Sequence, residues 1–322
     1  MKANSSPFLI LAILFFFILT SCSKDENKNI GDGVFNKNLT GYILHQYTSE
    51  VKKLDVVTGK ESNFFSYSAY SAIGWDVSRD GTIRIMAERE PGVYDRTRLK
   101  MIKVSDQTII KEFDYDPKYG TNTSNMGELS FDNSLLLIEP DFENGIVILN
   151  DSGEELFRLD GINDQAFTAN DKVTWLPNNG LLIRFGNRYI FRADPPYESL
   201  NLIKEMNYEN WGNMRVSNNG EKVSMYINKH IFIMDIDGSN LTQVTESDGD
   251  EAFGEFSPDD KYLLIGADYF HAPASNNSHW YLKIIPADGK KYNLDTDSEV
   301  IPVIPSGSNS PVKANRLTRW RP

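Results

Sequence analysis

A single cysteine, Cys22, stands in 322 residues. No disulfide can form within the chain, so its stability must come from a buried core. Histidine is nearly as scarce, with four residues, and the chemistry that imidazoles could support is limited accordingly. The Gly-x-Ser-x-Gly elbow of one large hydrolase class is absent, which excludes a hydrolase domain of that type. Positive charge is short: 33 Lys and Arg face 45 Asp and Glu, for a net charge of −12. Such a chain is poorly suited to hold nucleic acid or anionic lipid by charge, and no nucleic-acid partner is expected. Acidic polysaccharides would be repelled except at a local basic patch. Stretches with the three-to-four-residue apolar spacing of an amphipathic helix are also few.

What is present favours β-structure. Aromatic residues make up 12% and hydrophobic residues 40% of the chain, enough for a sizeable core. At the N-terminus, Lys2 precedes an unbroken apolar run of 12 residues, Phe8 to Leu19. That length suits a signal-peptide core and is too short to span a bilayer.

Leu19-Thr20-Ser21-Cys22 follows directly. It resembles the lipobox of bacterial lipoproteins, which implies cleavage before Cys22 and acylation of that residue, giving a membrane partner through the lipid. Several acyl chains on one residue anchor a protein stably. Ser23-Lys24-Asp25-Glu26-Asn27 is similar to the surface-export signal of Bacteroidetes lipoproteins. The resemblance implies an outer-membrane lipoprotein displayed at the cell surface, with a periplasm-facing position as the alternative. Residues 1–21 are then signal peptide. Residues 22–38 are the lipidated Cys and a polar tether that reaches at most ~50 Å. Residues 39–322 form one domain.

That domain repeats itself. Five turns rich in Ser, Asp, Asn and Gly start at Ser78, Ser130, Leu176, Ser217 and Ser257. The last reads Ser257-Pro258-Asp259-Asp260 and is followed by the strand-like Tyr262-Leu263-Leu264-Ile265. Each turn joins two antiparallel strands. A third apolar run follows, as in Ile231–Asp237, and then a shorter fourth, as in Leu241–Thr245 or Glu154–Arg158. Four strands per repeat of this length predict an all-β, six-bladed β-propeller. Tyr42–Tyr47, Val51–Val56 and Glu61–Ser66 lack a first strand, and Asn315–Pro322 is expected to supply it, closing the ring by a one-plus-three velcro.

Phe256-Ser257-Pro258-Asp259, with Ile233–Gly238 and Asn240-Leu241-Thr242, resembles the WD-like repeat of TolB-type propellers. The match is strong over 211–268 and covers 41–322 as architecture. The resemblance implies the fold and little chemistry. Asp235-Ile236-Asp237-Gly238-Ser239 lacks the glutamate a twelve-residue calcium loop needs and reads as a turn.

Loops entering the inner strands share one face with those joining second and third strands. Two long ones, 88–97 and 268–279, are expected to flank the first blade. Candidate ligand-binding residues at that face are Tyr70, Arg89, Tyr94, Gln165, Asn210, Trp211 and Tyr269; packing between blades is the competing role for Trp211 and Phe253. His45, His230, His271 and His279 map to the same face, with Asp268 beside them, as a candidate divalent-metal site. Otherwise no cofactor is expected. Paired carboxylates in Ser247–Glu251 sit where turn residues are expected. Two functions remain open: a non-catalytic envelope lipoprotein binding a protein or carbohydrate partner, and a metal-dependent glycan lyase or hydrolase resembling oligogalacturonate-type propellers.

Overall fold

The computed structural model describes residues 38–66, 72–89, 92–93, 96–117, 127–140, 144–272 and 277–322. Tyr70, Tyr94 and the signal and lipidation residues, Cys22 included, lie outside them. Regular structure among the described residues is entirely β. Six sheets of four or five strands stand around an axis, each with its innermost strand first in sequence except in the first blade, and two two-stranded sheets lie beside them.

The turn residues explain the blades. In four of the five turns a Ser or its counterpart caps the first hairpin: Ser78, Ser130, Ser217 and Ser257 accept from the backbone N–H five residues on, at 2.9–3.0 Å. Three residues into every turn the backbone goes left-handed, at Gly81, Asn133, Asn179, Gly220 and Asp260, with φ of 58–74°. Gly, Asn and Asp tolerate that region best. The turns also bond to one another: Asn133 Nδ2 donates to Asp80 Oδ2 (2.9 Å), Asn179 Nδ2 to Asp132 Oδ2 (3.1 Å), and Asn218 N to Asp260 Oδ1 (2.7 Å). The Asp235–Ser239 segment is a turn, with Gly238 N donating to Asp235 O and Ser239 N to Asp237 Oδ1.

The core lies between blades. Six clusters of buried apolar side chains fill the six seams. Alternation along each strand sends neighbouring side chains to opposite seams. Tryptophans of the inner strands reach across the seams, and each indole N–H finds an acceptor: Trp75 at Gln46 Oε1, Trp175 at Glu128 O, and Trp320 at Thr40 O.

The ring closes as expected. Thr318–Arg321 is the inner strand of the first blade, antiparallel to Tyr42–His45, with Ile43 opposite Trp320. Trp320 is 1% exposed.

The sixth blade departs from the repeat. The segment after Asp288-Gly289 does not supply its fourth strand. Tyr292–Asn293 instead pairs in parallel with Thr245–Glu246 beside the fifth blade. The fourth strand is split into Ile301–Pro302 and Lys313–Ala314, both paired with His279–Pro286. Buried Val303 and Val312 pinch its base together, Val312 N donating to Val303 O at 2.8 Å. Residues 304–311 leave the sheet as a loop. Pro302, Pro305 and Pro311 flank or lie in it, and a missing N–H breaks a continuous ladder.

Candidate functional site

The four histidines do lie on one face, yet the structure engages each separately. His45 is buried, and its Nε2 meets Glu61 Oε1 at 3.0 Å. His230 Nδ1 meets Glu251 Oε1 at 3.2 Å. His279 Nδ1 lies 2.7 Å from Asn277 O, with its ring between Tyr47, Phe270 and Tyr281. His271 is exposed beside Tyr269. Asp268 pairs with Lys283 at 2.8 Å. Among the described residues no group of three or more His, Cys, Asp or Glu side chains is placed to hold a metal ion.

Glu251 is a structural cap. It accepts from Ile231 N, Ser247 Oγ and Thr245 Oγ1, while Asp250 pairs with Lys229. Neither acts as a free carboxylate.

The candidate binding residues divide. Trp211 is buried between the fourth and fifth blades, its indole donating to Asn187 O at 2.8 Å. Phe253 is likewise buried between the sixth and first. Both are core, so Trp211 leaves the surface list. Gln165 is exposed on a small hairpin, Gly161–Ile162 with Gln165–Ala166, whose Asn163-Asp164 turn has two positive φ angles. Asn210 is exposed and donates to Tyr226 OH at 2.9 Å. Tyr269 is 37% exposed and stacks on Trp280, centroids 4.9 Å apart. It belongs to a strand, Tyr262–Phe270, longer than expected; the sixth-blade loop therefore begins after Phe270. Arg89 is half-buried just beyond its strand.

The strongest electrostatics lie elsewhere, along the axis. One position of each inner strand faces the channel, immediately before an apolar residue that packs in a seam: Asp76, Glu128, Thr174, Arg215, Glu255 and Arg319. Arg319 forks onto Asp76, Nε to Oδ1 at 2.8 Å and Nη2 to Oδ2 at 3.2 Å. Arg321 bonds Glu255 Oε1 at 2.9 Å and Val77 O at 3.0 Å. Arg215 contacts Glu255 Oε2 at 3.2 Å. Arg79 crosses the turn end of the channel, from the second blade to Val216 O of the fifth, with its guanidinium over Phe131. Bidentate Arg–carboxylate pairs of this kind fix geometry as well as charge.

These neighbours set the protonation states. Burial opposes ionisation of Asp76 and Glu255, but the arginines, Arg319 foremost, reverse it and hold both carboxyls below the usual range. Glu128 has no such fork. Burial, with Asp76 nearby, pushes its carboxyl up to about 7, and Thr174 Oγ1 at 3.4 Å is its hydrogen-bond donor. Burial lowers Arg79 to about 10.

The sequence reading missed this ring. Its signal is legible in retrospect: a charged residue recurs two places before the turn in strands otherwise apolar, as Asp76-Val77-Ser78, Glu128-Leu129-Ser130, Arg215-Val216-Ser217 and Glu255-Phe256-Ser257.

No protein-family model matches the chain, and no curated protein matches it. Solved structures do. TolB from Acinetobacter baumannii superposes with a TM-score of 0.56 at 16% identity, over 81% of this chain and 64% of that one. A putative TolB from Agrobacterium tumefaciens gives 0.58 at 15% identity, over 88% and 99%. At such identities the likeness concerns fold. The chain is a six-bladed β-propeller whose structural neighbours are TolB proteins.

Proposed function

We propose that this protein is a non-catalytic binding lipoprotein of the bacterial envelope, whose propeller engages a protein or glycan partner through the face that carries its longer loops. One observation carries the reading. At the axis Arg319 and Arg321 hold Asp76 and Glu255, and at the rim His45 and His230 meet Glu61 and Glu251, so these groups that could perform chemistry are engaged with one another inside the scaffold. Gln165 and Tyr269 stay exposed on that face, offering an amide and an aromatic surface. Incubating purified protein with acidic oligosaccharides, with and without Mn²⁺ or Ca²⁺, tests it. The oligosaccharides should be recovered intact; turnover at enzyme-like rates overturns the reading in favour of a metal-dependent lyase or hydrolase.

The address rests on residues 1–38, with the signal peptide over 1–21, the lipidated Cys22 and tether over 22–38, and the propeller over 39–322. Surface display at the outer membrane follows from Lys24-Asp25-Glu26. Cys22→Ala should shift the protein from membrane to soluble fractions, because the 12-residue apolar run cannot hold it alone. Retention of a processed variant in the membrane would contradict the anchor.

A further inference from the structure

The loop 304–311 that interrupts the sixth blade is pinned to the first blade at one end. Ser306 N and Oγ donate to Gly59 O and Thr58 O, both at 2.8 Å. Just past the loop, Asn315 holds the other end, its N donating to Gln46 O at 3.0 Å while its Oδ1 accepts from Thr48 N at 3.1 Å. Between the two fastenings lies a cavity of about 490 Å³ against the first blade. That size suits one or two sugar rings.

Its lining is charged, and half of its acidic and basic side chains are fixed. His45, 4% exposed, meets Glu61, which also takes Lys52 Nζ at 2.8 Å. His45 Nδ1 is buried without a hydrogen-bond partner among the described residues. The hydrogen bond from His45, with Lys52 beside it and against some burial, holds the Glu61 carboxyl down at about 2. Tyr47, half-buried, forms a wall, its ring held edge-on to His279 at 5.7 Å. Three lining side chains, Glu50, Lys60 and Lys313, have no partner among the described residues.

We propose that this cavity binds a sugar acid, a hydroxylated ring carrying one carboxylate. Two ammoniums, Lys60 and Lys313, line the cavity with one carboxylate, Glu50, none of them partnered among the described residues, so the site lacks one negative charge. A monoanion supplies it. Glu50 accepts from ring hydroxyls, and Tyr47 offers an aromatic face to the ring. The attraction is local, since the chain as a whole carries −12. A loop tied at both ends over a polar cavity is a device that commonly carries function. This deepens the glycan side of the proposed function and rests on it; the cavity lies between the sixth and first blades and reaches the loop face at His45 and Tyr47.

Calorimetric titration of the detergent-purified full chain tests it, with glucuronate, a glucuronate-terminated disaccharide and their neutral glucose counterparts as probes. Saturable binding of the acids is expected, at least about tenfold tighter than the neutral sugars and weakening with salt. Lys60→Ala with Lys313→Ala should weaken it at least about tenfold at unchanged melting temperature, since both side chains are exposed. A preference for the disaccharide identifies a glycan end as the source, and equal binding identifies the free acid. No saturable binding, equal binding of neutral sugars, or an unaffected double variant overturns the proposal. A ligand recovered intact leaves the non-catalytic reading standing however binding falls; a cleaved ligand overturns that reading and not the site.

Discussion

A chain ending at Ala314 should fail to fold. It lacks only eight residues, 315–322, yet these hold the inner strand of the first blade. Trp320, 1% exposed, leaves the seam between the sixth and first blades; losing such a side chain costs about 3–5 kcal/mol. Arg319 and Arg321 leave with it. Asp76, 3% exposed, then keeps neither guanidinium, and Glu255 keeps only Arg215. An uncompensated buried carboxylate costs about 3–5 kcal/mol more. The backbone edge of Tyr42–His45 is bared as well, a template for aggregation. Together these losses reach the ~5–15 kcal/mol that holds a typical domain. Thermal unfolding followed by near-UV circular dichroism should show no cooperative transition. A melting temperature equal to that of the full chain would mean that the ring does not depend on this strand.

A single substitution at the axis should have the next largest effect. Arg319→Leu keeps the strand and most of the side-chain volume but removes the fork on Asp76. The expected loss is about 3–5 kcal/mol in urea denaturation, because Asp76 stays buried and charged with only the longer Arg321 contact, at 3.8 Å, to offset it. Asp76→Leu in the same chain should recover most of that loss, since replacing a buried pair by apolar groups is commonly near neutral. Recovery separates a charge effect from a packing effect. If Arg319→Leu alone changes stability by less than about 1 kcal/mol, channel water is compensating Asp76 and the pair is not structural.

The blades were legible in the sequence because their turns are chemically special. A serine that caps the hairpin and a residue forced to positive φ recur at fixed offsets, and few residue types satisfy both. The closing strand was legible by arithmetic, since the first blade had three strands and the chain end offered a fourth. The split strand of the sixth blade was not. Ile301–Pro302 and Lys313–Ala314 are two residues each, too short for a period of two to show. The channel ring stayed hidden because each member is one charged residue in an apolar strand, and only the closed ring brings Arg319 to Asp76, 243 positions away in the chain. The histidines misled for the related reason that sharing a face is weaker than converging: His45 and His230, two blades apart, turned to separate carboxylates, Glu61 and Glu251. Trp211 misled because a tryptophan at a strand entry is as useful to a seam as to a ligand.

The claim that a partner docks on the loop face is tested most directly by site-specific photocrosslinking in intact cells. A photoreactive amino acid would replace Gln165 or Tyr269 on that face, and Lys261, exposed in a turn at the opposite end of the sixth blade, as the control. Crosslinked species of reduced mobility from the Gln165 and Tyr269 positions, with none from Lys261, is the predicted result. Adducts from Lys261 alone, or from none of the three, would contradict binding through the loop face.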